Sequence, residues 1–115
     1  MQLQPHSQEA ERLVLGQVLT DNTVIDQIAH YIPDETVFYK EGHRQIWKAM
    51  IDMHRNGASV IDAVTITANI PPNDYNETPG YYITGLIDEV VTTATAEQYA
   101  KVIYEKWLLR KVIEK

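Results

Sequence analysis

The sequence predicts an all-α fold, a compact bundle of about five to six helices whose last helix is long. Three observations support this. Apolar residues recur at spacings of three and four along most of the chain. Residues that start and stop helices flank those windows. The most strand-like run, SVIDAVTI (59–66), would find no partner strand in an otherwise helical chain.

The first helix enters at Pro5-His6-Ser7. Ser7 is a good N-cap, and Glu9 and Glu11 sit in the first turn, where the helix dipole favours anions. Ala10, Leu13, Val14 and Val18 then form one face, widened by Leu15 and Leu19. Thr20-Asp21-Asn22 interrupts the pattern. A second, short helix follows through Val24, Ile25, Ile28 and Ala29 and ends near Tyr31. Pro33-Asp34 opens a turn, and ETVFY (35–39) reads as one helical turn that presents Phe38 to the core. Lys40 to Asn56 is the clearest helix in the middle of the chain. Ile46, Trp47, Met50, Ile51 and His54 make one broad stripe, and Gly57 suits a left-handed cap beyond it.

Asp62 decides the next segment. In a strand it would be a buried acid without a partner, which is costly. As an N-cap it accepts a backbone N–H from Val64 or Thr65 and opens a short helix with Ala63, Val64, Ile66 and Ile70 on one face. Pro71-Pro72 ends that helix, and the capped helix is the reading adopted. Residues 71–80, PPNDYNETPG, read as a loop. Ile83, Leu86, Ile87 and Val90 predict a helix from Gly80 to Val91, weakened at Gly85 by about 1 kcal/mol relative to alanine.

The last helix is the strongest. Thr95 and Gln98 fit a capping box, and no Gly or Pro interrupts the chain from there to Lys115. One stripe is Tyr99, Val102, Ile103, Lys106, Leu109 and Ile113. A second is Tyr104, Trp107, Leu108 and Val112. One small core cannot bury both, so the second stripe calls for another partner, either further chain or another subunit. The pattern stops without a C-terminal cap, so the native chain is expected to continue past Lys115.

At 115 residues the chain fits one compact domain. Its formal net charge of −6 argues against a chain whose main task is gripping phosphate backbone. It has no cysteine, which excludes disulfides, thiolate metal sites and cysteine nucleophiles. No signal peptide or membrane-length apolar run occurs, so a cytoplasmic location and no membrane partner are expected.

No catalytic chemistry is legible. Neither a P-loop nor a dinucleotide-binding glycine pattern occurs. His6, His30, His43 and His54 make no zinc motif, and His43 and His54 lie about three turns apart on one helix. His43 reads as a half-buried packing residue beside Phe38 or Tyr39. Glu9/Glu11, Asp34/Glu35 and Asp88/Glu89 do not face each other as helix neighbours, so solvated faces and helix starts explain them. Ser7 and Ser59 lie in no nucleophile elbow. The expectation is no catalytic residue, no metal and no cofactor. Trp47 reads as core rather than as a base-stacking residue.

The motifs resemble those of the N-terminal domain of DnaB-type replicative DNA helicases. Pro5, Ser7, Glu9-Ala10-Glu11 and Val14-Leu15-Gly16 resemble the family's opening P-x-S-x-E-A-E-x-x-V-L-G. Phe38, Tyr39, His43, Ile46 and Trp47 resemble its F-Y-x-x-x-H-x-x-I-[FWY] run. Gly57, Ile61, Asp62, Val64 and Thr65 resemble G-x-P-I-D-x-V-T-L, with Ser59-Val60 where the family has proline before Ile-Asp. PGYYITGL resembles G-G-x-x-Y-[IL]-x-x-L, with Pro79 for the first glycine. YAKVIYEKWLLRKVI resembles the closing pattern. The matches keep their order over nearly the whole chain.

The resemblance implies a non-catalytic collar domain of a hexameric helicase. Residues 1–93 would be the globular part, and 94–115 the first arm of a helical hairpin that pairs subunits, the whole forming one unit. Tyr104, Trp107, Leu108 and Val112 are the expected subunit contacts; Ser7, Asp62 and Thr95 are the expected caps. Self-association within a hexamer, primase and a helicase loader are the implied partners. ATP and magnesium would belong to the motor of the full helicase, with no tight DNA binding by this domain. Two other readings remain: the helicase-binding C-terminal domain of a bacterial primase, and a single-stranded DNA-binding module.

Overall fold

The computed structural model describes residues 4–70 and 78–113. Among them, six α-helices and two short 3-10 turns form the fold, and no strand occurs. Three of the six α-helix starts and one 3-10 turn are fixed by a side chain that satisfies a free backbone N–H. Ser7 Oγ accepts from the Ala10 N–H at 3.2 Å and opens α1, Gln8–Thr20. Asp21 Oδ1 accepts from the Thr23 N–H just before α2, Val24–Ile28, which runs into a 3-10 turn at Ala29–Tyr31. Asp34 accepts from the Thr36 N–H at 2.7 Å and opens the second 3-10 turn, Glu35–Val37, which delivers Phe38 to the core. α3, Glu41–Arg55, ends at Gly57, whose φ of +78° is a left-handed conformation that glycine adopts without strain.

The strand-like stretch is a helix start. Asp62 Oδ1 accepts from the Thr65 N–H at 2.9 Å, and the Thr65 hydroxyl accepts from the Asp62 N–H at 3.1 Å, a reciprocal box that opens α4, Ala63–Ala68. The extended residue before it is held by a side chain instead of a neighbouring strand. Asn22 Oδ1 accepts from the Ile61 N–H at 2.9 Å, and its Nδ2 donates to the Ile61 carbonyl at 2.9 Å.

α5, Pro79–Asp88, differs from the expected Gly80–Val91. Thr78 caps it and Pro79 takes the first helical position, where a missing N–H costs nothing. Thr78, Pro79 and Gly80 are thus a cap and a first turn, not a loop; residues 71–77 of the expected loop lie outside the described residues. α6 spans Ala96–Ile113.

α1 is the centre of the packing and contacts α2, α3, α5 and α6. Val14, Leu15 and Val18 are fully buried there. Trp47 and Phe38 are the largest buried side chains, their rings tilted with centroids 5.7 Å apart. On α6, Ala96, Ala100 and Ile103 face the core, Trp107 and Arg110 continue the covered face, and the other sides of the later turns are exposed.

Candidate protein-interaction site

Beyond Ile103, α6 carries more apolar side chains than the body covers. Leu108, Leu109, Val112 and Ile113 are exposed, Val112 at 70%. At 100° per residue they span an arc of about 140°. A shallow groove of about 460 Å³ opens on this arc, lined by Glu105, Lys106, Leu108, Leu109 and Val112. A helical end this apolar and this exposed is a candidate association surface.

The four residues singled out on this helix separate. Leu108 and Val112 belong to the exposed arc. Trp107 is partly buried against the core, and Tyr104 is tilted between it and Tyr31, with centroids 5.8 and 6.5 Å away. Leu109 and Ile113, assigned by spacing to the core stripe, join the exposed arc instead, because at this end of α6 the body covers the face of Trp107 and Arg110.

The three capping residues also differ. Ser7 and Asp62 each accept a backbone N–H at a helix start. The Thr65 N–H holds the Asp62 carboxyl below the usual carboxylate range. Thr95 precedes α6, and its carbonyl accepts the Tyr99 N–H at 3.1 Å. Its hydroxyl accepts from Gln17 Nε2 at 2.9 Å and ties the start of α6 to α1.

A buried polar relay joins three helices. Glu11, which the sequence places on a solvated first turn, is only 1% exposed. Its Oε2 accepts from the Tyr39 N–H at 2.7 Å, and its Oε1 lies 2.7 Å from His43 Nδ1. His43 is fully buried, not half-buried, and its Nε2 lies 2.6 Å from the Tyr82 hydroxyl. Lys40 Nζ reaches the same hydroxyl at 3.3 Å. Burial pushes the His43 pKa below the ordinary histidine value and outweighs the opposing pull of Glu11. The neutral tautomer satisfies every partner: Nδ1–H donates to Glu11, and Nε2 accepts from Tyr82. The relay is buried at Glu11 and His43 and half-buried at Tyr82, and it braces the helices.

Sequence reasoning also missed Arg110. It is buried, and it donates from Nη1 to the Pro5 carbonyl and from Nη2 to the Val37 carbonyl, both at 2.8 Å. The period of α6 places position 110 beside Trp107, but nothing in the sequence says which carbonyls it would meet. Among the described residues, no group of three or more His, Asp or Glu side chains could hold a metal ion.

Comparison with known proteins agrees with this geometry. Residues 3–105 match the family model described as the DnaB-like helicase N terminal domain. The chain is 35% identical to the replicative DNA helicase DnaC of Bacillus subtilis over 114 residues, covering 96% of this chain and 24% of that protein. It is 36% identical to the replicative DNA helicase DnaB of Geobacillus stearothermophilus over 111 residues, covering 95% and 24%. The crystal structure of the N-terminal domain of DnaB helicase from Mycobacterium tuberculosis superposes with a TM-score of 0.86 at 29% identity, over 97% of this chain and 81% of that one. The chain thus spans about a quarter of the length of these two full-length relatives.

Proposed function

The chain belongs to the DnaB-like helicase N-terminal domain family, and from that premise we propose that it is the non-catalytic collar domain of a hexameric replicative helicase. Its work is to pair subunits and to dock primase or a helicase loader during DNA replication. The family match favours this over a primase domain. ATP, magnesium and strand unwinding are assigned in this reading to the helicase as a whole. The reading puts the protein in the cytoplasm, in the replication machinery of a bacterium or phage. No helix among the described residues is long and apolar enough to cross a membrane.

The observation that carries subunit pairing is the exposed arc of Leu108, Leu109, Val112 and Ile113. A second copy offering the same arc would remove these side chains from water at roughly 25 cal/mol for each Å² of apolar surface covered. Docking of primase or a loader rests on family membership alone. Sedimentation of the 115-residue chain tests the pairing. Concentration-dependent self-association is expected, weakened about tenfold or more by Leu108→Asp or Val112→Asp with helix content unchanged. A chain that stays monomeric at every concentration, or variants that sediment like the parent, would rule the pairing out.

A further inference from the structure

The opposite face of α6 carries a different surface. Trp107 lies about 170° around the helix from the centre of the apolar arc, and Arg110 and Lys111 about 130°. Together with Tyr39, Lys40 and Arg44 at the entrance of α3 they line an open cleft of about 560 Å³. Four cations, Lys40, Arg44, Arg110 and Lys111, meet there; among the described residues Glu41 is the carboxylate of the lining, paired with Arg44, and Asp34 lies near Lys111. The chain as a whole has a formal net charge of −6, so this concentration of positive charge runs against the rest of its surface.

We propose that this cleft binds a short acidic segment of a partner protein. Two of the cations are fixed in place. Arg110 is anchored on the Pro5 and Val37 carbonyls, and Arg44 on the Phe38 and Tyr39 carbonyls and Glu41. A guanidinium held this way presents charge without ordering cost when a carboxylate arrives. The volume has room for several residues of extended chain.

The rings argue against single-stranded nucleic acid as the occupant. Base stacking needs an open aromatic face. The Tyr39 ring is stacked by His6 at 4.0 Å and has Arg110 over it at 5.4 Å. The Trp107 ring has Lys111 over it at 5.5 Å and Tyr104 tilted against it at 5.8 Å. The cleft offers charge and hydrogen bonds, with little free π-surface. The inference does not depend on subunit pairing, because it uses the other face of α6.

Tryptophan fluorescence reads the site. The chain has two tryptophans, and Trp47 is buried in the core, so a ligand in the cleft changes the Trp107 signal. The 115-residue chain is titrated in low salt with hexaglutamate, hexalysine and oligothymidylate. Expected are saturable binding of hexaglutamate alone, its loss on raising salt, and affinity lowered about tenfold by Lys111→Glu. Lys40→Gln weakens it from the other wall, and Leu108→Asp leaves it unchanged. Absence of a saturable hexaglutamate signal would overturn the proposal, as would parental affinity in both Lys111→Glu and Lys40→Gln. Oligothymidylate binding as tightly through these same lysines would make the cleft a nucleic-acid site instead. Self-association is scored separately, so failure of one reading leaves the other standing.

Discussion

Glu11 has to be held by partners, because a carboxylate shut away from water is costly unless its acceptor sites are filled. The Tyr39 N–H and His43 fill them, each at 2.7 Å. Removing the carboxylate leaves a buried imidazole donor and a backbone N–H unpaired. Glu11→Ala is therefore expected to cost about 3 kcal/mol. Tyr82→Phe, at the half-buried end of the relay, should cost about 1 kcal/mol. The same relay sets a pH response. The folded His43 pKa is depressed, so its contribution is fully present above the unfolded value of about 6.5 and is lost as pH falls from there towards the folded value. His43→Asn should flatten that slope. Urea unfolding of the three variants and the parent at a series of pH values checks both statements. Equal losses in Glu11→Ala and Tyr82→Phe, or a parent whose stability is flat across mildly acidic pH, would contradict them.

At the scale of elements, the close crossing of α1 and α5 depends on one missing side chain. A Cβ on Gly16 would stand 2.3 Å from the Leu86 carbonyl oxygen, a backbone atom that cannot swing aside. Gly16→Ala must push the two helices apart and should cost roughly 1–3 kcal/mol, as overpacking does. Gly85 is the control. It lies inside α5 with nothing within 4 Å of an added Cβ, so Gly85→Ala should stabilise by roughly 0.5–1 kcal/mol. Opposite shifts of Tm are expected, and two shifts of one sign would refute the steric account. The elements themselves were legible where local chemistry decides them. Ser7, Asp62 and Gly57 act within three residues of their own position, and the 3.6-residue period needs no tertiary information. The start of α5 was missed because proline at a first helical position reads in sequence much like proline in a loop.

For the molecule as a whole, what the sequence concealed is long-range pairing. The period of α6 showed that it is apolar on too many sides, but which face the body covers near the end of the helix is set by the Trp107 and Arg110 contacts, and so Leu109 and Ile113 changed sides. The sequence placed Glu11 at a solvated helix start and gave Arg110 no role, because their partners lie 32 and up to 105 residues away in the chain. Arg110 has the longest reach. It ties the segment before α1 and the 3-10 turn of Glu35–Val37 to the end of α6 through the Pro5 and Val37 carbonyls. A guanidinium donating to two backbone carbonyls joins three parts of the chain that share no local hydrogen-bond ladder. Arg110→Ala should therefore cost about 3 kcal/mol, from two charge-assisted bonds of about 1.5 kcal/mol each. Arg110→Lys should recover only part of it, since an ammonium lacks the planar fork that serves both carbonyls at once. Urea midpoints give the stabilities, and hydrogen exchange at Phe38 and Ala10, on either side of the clamp, shows whether both ends loosen together. A midpoint unchanged in Arg110→Ala, or full rescue by lysine, would show that these ends are held by apolar packing alone.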